Sequence, residues 1–269
     1  MSDEKELAFR YDLFITPDWR ERFDSLVNEN ITLPPEGRVL DVNTGTGAYA
    51  IEIAERMKDK GEVIGVDPSR ERIALATAKA LVQKVEDLSF EQGNAASLRF
   101  EDEEFDVVVG DASMTAADEI EAMLDEMVRV VQLGGQVILK MTTRGSFDEF
   151  FSIYWEALMN TDLLDETWSA LEKFINERFT VSDAEAMVER AGLSGVVTFT
   201  SREEFSYDTA KDFFESPLIN DVFLDHWLSI VPESRRKDVS DQIISIIGRE
   251  QHDSPFDISI KATLISGFK

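Results

Sequence analysis

The chain has 269 residues, no cysteine, and 54 acidic side chains against 27 basic ones, for a formal net charge of −27. The lack of cysteine excludes a disulfide framework, a thiolate zinc site, an iron–sulfur cluster and a cysteine nucleophile. The acidity makes nucleic acid and anionic lipid surfaces poor partners, because both are bound through basic residues. An apolar fraction of 43 % with 18 phenylalanines is enough for a real core, and the length suits one large α/β domain. The start, Met1-Ser2-Asp3-Glu4-Lys5-Glu6, has neither the basic nor the apolar region of a signal peptide. No apolar run approaches the ~18 residues of a membrane span, so the expectation is a cytoplasmic protein.

Trp19, Phe23, Leu26 and Val27 recur at helical spacing within 12–30, and Pro34-Pro35 closes that segment. Short apolar runs then alternate with helical patterns. The runs cover 38–42, 62–66, 88–90, 105–109 and 136–140. Ala50, Ile53, Ala54 and Met57 mark one helical face, and Ile73, Ala76, Ala80 and Lys84 a weaker one. Ile120, Met123, Leu124, Met127, Val128 and Val131 mark the clearest. Such alternation predicts a doubly wound parallel sheet with helices on both faces. After residue 141 the spacing of Phe147, Phe150, Phe151, Tyr154 and Leu158 predicts a helix, and 163–179 holds one or two more. Ser182-Asp183-Ala184-Glu185 reads as a capping box, with Gly192 ending the helix that follows it. Residues 195–205 and 257–268 look extended, and 208–255 helical with breaks at Pro217 and Pro232. The expected organisation is a single domain over 1–269. It comprises a helical arm (1–36), a core (37–207 and 256–269) and a helical insertion or lid (208–255).

The stretch Asp41-Val42-Asn43-Thr44-Gly45-Thr46-Gly47-Ala48 lies where the first strand passes into the first helix. Glycines there let a ligand approach the backbone and the helix N-terminal amides. Asp67 follows Gly47 by twenty residues, at the end of the second strand, where a carboxylate can accept from both hydroxyls of a ribose. Gly45-x-Gly47-x-x-Ala50 also satisfies the dinucleotide fingerprint, which leaves a nicotinamide-dependent oxidoreductase as an alternative. Against it, Asp41 ends the apolar strand and three residues intervene before Gly45.

The order Asp41-x-Asn43-x-Gly45-x-Gly47 resembles the first motif of class I S-adenosylmethionine-dependent methyltransferases. Val63-Ile64-Gly65-Val66-Asp67-Pro68-Ser69 resembles that family's second strand, and Gln92-Gly93-Asn94-Ala95-Ala96-Ser97-Leu98-Arg99-Phe100 its adenine-flanking segment. Phe105-Asp106-Val107-Val108-Val109-Gly110-Asp111 resembles the fourth strand, and Met127 to Gly135 the turn into the fifth. Tyr11-Asp12-Leu13-Phe14 with Trp19-Arg20 resembles the arm of the quinone-biosynthesis C-methyltransferases, which can close over the cofactor; the alternative is a helix simply packed on the sheet. The resemblance implies a mostly parallel seven-stranded sheet with an antiparallel C-terminal hairpin, S-adenosyl-L-methionine as cofactor and a small-molecule acceptor.

It also implies site residues. Asp67 and Pro68 would flank the ribose, Asn94 and Ala95 the adenine, and Asn43, Thr44, Gly45 and Gly47 the methionine part. Tyr11, Asp41, Asp111 and Ala112 would complete the cofactor site. Asn43 replaces the usual first glycine, and asparagine is the side chain that best tolerates positive φ. Asn94 stands where an aspartate is common. These two substitutions motivate a second alternative, a non-catalytic nucleoside-binding partner protein. Asp111 has a competing reading as a helix N-cap before Ser113, and Asp41 as a solvated strand end. His226 is a general-base candidate, its alternative being a surface histidine, and His252 has no supporting context. The aromatics at 147–155 read as core by default, with an apolar acceptor pocket as the alternative. No histidine–carboxylate spacing suggests a metal.

Overall fold

A computed structural model describes residues 4–250 and 255–269; His252 lies outside the described residues. In chain order the arm comprises α1 (Glu4–Arg10), a π-helical segment (Tyr11–Arg20) and α2 (Glu21–Asn30). Then follow β1 (Gly37–Val42), α3 (Ala48–Met57), β2 (Gly61–Asp67), α4 (Arg70–Gln83), β3 (Leu88–Gln92) and β4 (Phe105–Asp111). After these come α5 (Ala117–Val130), β5 (Val131–Thr143), α6 (Asp148–Asn160), α7 (Leu164–Asn176), α8 (Val181–Arg190) and β6 (Ser194–Tyr207). The chain finishes with α9 (Ala210–Glu215), α10 (Leu224–Trp227), α11 (Arg236–Glu250) and β7 (Phe256–Phe268).

The seven strands form one sheet in the order β3-β2-β1-β4-β5-β7-β6. β1 to β5 pair in parallel, with Val39 opposite both Val63 and Val107. Val39, Leu40 and Val42 are fully buried, as are Val108 and Val109, because helices cover both faces of a parallel sheet. At the other end the hydrogen bonds Ser194–Phe268 and Thr200–Thr263 give β6 and β7 opposite directions, the expected hairpin. The order reverses between β1 and β4, and a crevice outside the carboxyl ends of strands at such a point is where α/β sheets hold ligands.

The chain divides into two compact units. The first takes in residues up to 142 together with 180–201 and 262–269; the second takes in 143–179 and 202–261. Within the second unit, α6 packs against α7 and against α11 of the late helical segment. Within the second unit the stripe at 147–154 is core. Trp227 stacks on Phe150 at 4.2 Å and on Phe223 at 5.2 Å, and the Tyr154 hydroxyl donates to the Trp227 carbonyl at 2.7 Å. Trp155, by contrast, is exposed.

Three local expectations are corrected. The capping box of α8 is Thr180 with Asp183, two residues before the expected one, because Thr180 has extended dihedrals while Ser182 is already helical. Val131 does not extend the helical face of α5; it opens β5 opposite Phe105, and a register shift then sets Val107 opposite Gln136. No helix starts at Ser113: α5 begins at Ala117, so Asp111 is not a helix N-cap.

Candidate cofactor site in the first unit

β1 ends in a loop with two left-handed residues, Asn43 (φ 58°) and Gly45 (φ 61°), before Gly47 (φ 78°) opens α3. The asparagine therefore takes the conformation expected of it. Its side chain also contributes, since Nδ2 donates to the Asp111 carbonyl at 3.0 Å and so ties the loop to the end of β4. Gly47 cannot carry a side chain: a Cβ there would stand 2.6 Å from the Phe90 ring and 2.8 Å from Ala76 Cβ. At Gly45 a Cβ would meet Arg20 Nη1 and Tyr11 Cε1, each at 3.0 Å. The arm therefore comes down onto the loop itself.

The π-helical segment explains how. Pro17 has no N–H to give to the α-helical ladder, and Glu21 N–H reaches back five residues to the Thr16 carbonyl. This wider coil brings Tyr11 and Arg20 together, with Arg20 Nη1 donating to the Tyr11 hydroxyl at 3.0 Å. The arm is fastened by Asp12, which accepts from the Thr46 hydroxyl at 2.5 Å and from Lys79 at 2.6 Å, and by the Trp19 indole, which donates to Ser113 Oγ at 2.9 Å. Of the two readings of Tyr11, the structure has a buried side chain lying against the glycine loop.

Asp67 is only 2 % exposed and accepts from two backbone N–H groups, Gly45 on Oδ2 and Ser69 on Oδ1, both at 2.9 Å. Burial pushes its pKa up, against Arg72 and these two donors. Each oxygen keeps a lone pair for a ribose hydroxyl. Pro68 follows it, and the Pro68 carbonyl accepts from Gln92. Asn94 is exposed in a turn that its own side chain closes onto the Ala96 N–H, and Ala95 is half-buried beside it.

Behind the loop lies a buried ionic cluster whose members are scattered along the sequence. Lys140 Nζ lies 2.6 Å from Asp24 and 3.6 Å from Asp111, Arg20 Nη2 lies 3.2 Å from Asp111, and Asp41 accepts from Thr44 at 2.5 Å. Asp41 is fully buried, not a solvated strand end. Burial pushes its pKa up to about 6, against the pull of Lys140, Arg20 and Thr44. Burial would raise Asp111 too, but Arg20, Lys140 and the Ser113 hydrogen bonds outweigh it and hold that carboxyl below its ordinary value. Three carboxylates against two cations, 2 − 3, leave the ionised cluster one negative charge over. Asp41 Oδ1 is buried without a hydrogen-bond partner, while Arg20 Nη2 and Asp111 Oδ2, which also lack hydrogen bonds, face each other as an ion pair. Ala112, buried between Asp111 and Ser113, bonds through its N–H to the Lys140 carbonyl.

A buried carboxylate oxygen without a hydrogen-bond partner, with a guanidinium near a loop that leaves no room for a side chain at Gly47, offers opposite charges to the two ends of an amino-acid zwitterion. The sequence marks Thr44 for the loop and Arg20 for the arm, while Asp24 and Lys140 carry no local signal of their role. His226 belongs to the second unit, where it is 56 % exposed, with Nε2 3.9 Å from Glu177 and its ring on Phe174. These are the surroundings of a solvated side chain. Among the described residues no group of carboxylates and histidines is arranged to hold a metal, and no helix is long and apolar enough to cross a membrane.

Residues 34–192 match the family described as a methyltransferase domain. The chain is 28 % identical to the demethylmenaquinone methyltransferase of Bacillus licheniformis over 188 residues, 66 % of this chain and 78 % of that protein. With the same-named protein of Bacillus cytotoxicus it shares 34 % over 120 residues, 45 % of this chain and 51 % of the other. Among solved structures, the YcgJ protein of Bacillus subtilis covers 93 % of this chain and 98 % of its own, at 23 % identity and a TM-score of 0.58. A phosphoethanolamine N-methyltransferase of Haemonchus contortus, solved with S-adenosylhomocysteine, covers 100 % of this chain and 61 % of its own, at 15 % identity and a TM-score of 0.58. These two likenesses establish a shared fold. Neither the nicotinamide alternative nor the non-catalytic one is favoured by these matches. With its family match running over more than half its length, the chain belongs to the methyltransferase-domain family and is an S-adenosylmethionine-dependent methyltransferase.

Proposed function

We propose that this enzyme methylates a small molecule with a reduced quinone ring, and that the first unit's loop and strand ends hold the cofactor. The acceptor class is supported by the relatives, whose names place demethylmenaquinone among methyltransferase substrates. The net charge of −27 favours a metabolite over a nucleic acid. The observation that carries the cofactor assignment is Asp41 Oδ1, buried without a hydrogen-bond partner at the end of β1, four residues before Gly45.

When bound, S-adenosylmethionine supplies a methyl group activated by its sulfonium. The residues of the chain bind and orient it. Asp67 accepts from the ribose hydroxyls, with Pro68 beside it, while Asn94 and Ala95 flank the adenine. The loop from Asn43 to Gly47 lines the methionine part. Asp41 takes the ammonium and Arg20 the carboxylate, and Tyr11 holds Arg20 in place. Asp111 and Ala112 close the floor. The surplus negative charge of the cluster suits a ligand with one net positive charge. Alignment and exclusion of water then do most of the work, since the electrophile needs no further activation.

The test is methyl transfer from isotopically labelled S-adenosylmethionine to chemically reduced naphthoquinones and benzoquinones. Label in the recovered ring supports the reading. Tight cofactor binding with no label in any ring compound contradicts the acceptor class.

A further inference from the structure

The first turn of α4 carries Arg70 and Arg72, although a helix N-terminus favours carboxylates; only Glu71 between them has the favoured sign. Arg72 is also tied into the turn that holds Asp67. The Ser69 N–H donates to Asp67 Oδ1 at 2.9 Å, and Ser69 Oγ accepts from the Arg72 N–H at 3.3 Å. Asp67, Ser69 and Arg72 are thus joined in one bend at the end of β2. Among the described residues the half-buried Arg72 guanidinium forms neither a hydrogen bond nor a salt bridge.

What holds that side chain is the arm. Arg72 Cζ lies 3.8 Å from the centroid of the Tyr11 ring, a close cation–π contact. Tyr11 is buried, its hydroxyl accepts from Arg20, and a Cβ on Gly45 would stand 3.0 Å from its Cε1. One ring therefore has Arg72 on its face, Arg20 at its hydroxyl and the glycine loop at its edge. Arg72 also acts on Asp67. Burial pushes that carboxyl up, and the charge of Arg72 is the largest opposing influence, ahead of the Ser69 N–H, Arg20 and the Gly45 N–H. The arm and the carboxylate assigned to the ribose meet at this single side chain of α4.

We propose that Arg72 is a positioning residue that couples the seating of the arm to ribose binding: its guanidinium clamps Tyr11 onto the glycine loop, and its charge supports Asp67 across the same turn. The first task needs a flat cation that stacks on a ring, and the second needs only a positive charge. Lysine can therefore perform the second task and performs the first poorly. The proposal rests on the placement of the ribose at Asp67 and adds to it a residue that makes the arm part of that subsite.

The experiment is calorimetric titration of the full chain with adenosine and with S-adenosylhomocysteine between about pH 4 and pH 8. Adenosine lacks the amino-acid end, so its profile reports Asp67, which Arg72 and Arg20 face, and not Asp41. Its affinity should rise with pH as Asp67 becomes the stronger acceptor. Arg72→Gln should move the midpoint of that rise to higher pH, and Arg72→Lys should bring it back. At about pH 8, Arg72→Gln should bind S-adenosylhomocysteine about fivefold more weakly, the worth of a cation–π contact, and should add little to the loss in Tyr11→Leu. An adenosine midpoint that Arg72→Gln leaves in place, as a mere packing role would, overturns the proposal and leaves the ribose placement standing. So do losses in Arg72→Gln and Tyr11→Leu that simply add. A wild type that binds neither ligand overturns both.

Discussion

The backbone N–H of Gly45 donates to Asp67 Oδ2 at 2.9 Å, so the loop after β1 and the end of β2 form one connected piece. In the proposed cofactor site, this one hydrogen bond would link the ribose and methionine subsites. A carboxylate that also shapes the loop contributes to binding twice, through its own contacts and through the position of Gly45.

The pH dependence of cofactor binding should follow Asp41. Its folded pKa, about 6, lies above the ordinary carboxylate value of 3.8, so the fold favours the protonated form. Stability from this group is therefore fully present below about pH 4 and is lost as pH rises through 6. Cofactor binding has the opposite sign, because an ammonium needs the ionised carboxylate. Lys140, Arg20 and Asp24 face Asp41 and Thr44 donates to it, so the midpoint belongs to the cluster as a whole. Calorimetry between about pH 5 and pH 7 should find affinity for S-adenosylmethionine rising, and Asp41→Asn should flatten the slope.

Asn43 separates backbone requirement from side-chain contact. Asn43→Gly keeps the left-handed conformation and loses the Nδ2 hydrogen bond to the Asp111 carbonyl with the longer ones to Thr115 and Met123, a change of about 1 kcal/mol. Asn43→Val should cost roughly 1–3 kcal/mol more, since a β-branched side chain resists φ 58°. Urea denaturation of the two variants gives the comparison.

Lys140 tests whether the buried cluster is balanced. Removing its charge in Lys140→Met leaves Asp24, Asp41 and Asp111 in the interior with Arg20 alone, and stability should fall by about 3–5 kcal/mol. The double variant Lys140→Met with Asp24→Asn should regain part of that loss in a double-mutant cycle. Additive effects would mean that the 2.6 Å contact carries no coupling.

Much of the fold was legible in the sequence because β1, β2 and β4 are buried on both faces and so read as unbroken apolar runs. The left-handed Asn43 and the place of Asp67 were legible for a similar reason, since both follow from the strand-to-helix turn. The π-helical arm was not, because Pro17 in a helical pattern signals a break and not a wider coil. The cap of α8 was ambiguous, as Thr180 to Asp183 and Ser182 to Glu185 both fit the pattern and only the backbone chooses. Lys140 and Asp24 lie 116 positions apart, and nothing local announces that they meet.

The most direct test of the cofactor site is calorimetric titration with S-adenosylmethionine and S-adenosylhomocysteine of the wild type and Asp67→Ala. The account predicts one site per chain for both ligands, weakened at least about tenfold in the variant by the loss of charge-assisted hydrogen bonds. Equal affinity of the two proteins for both ligands would contradict the placement of the ribose at Asp67 and, with it, the site built around Gly45.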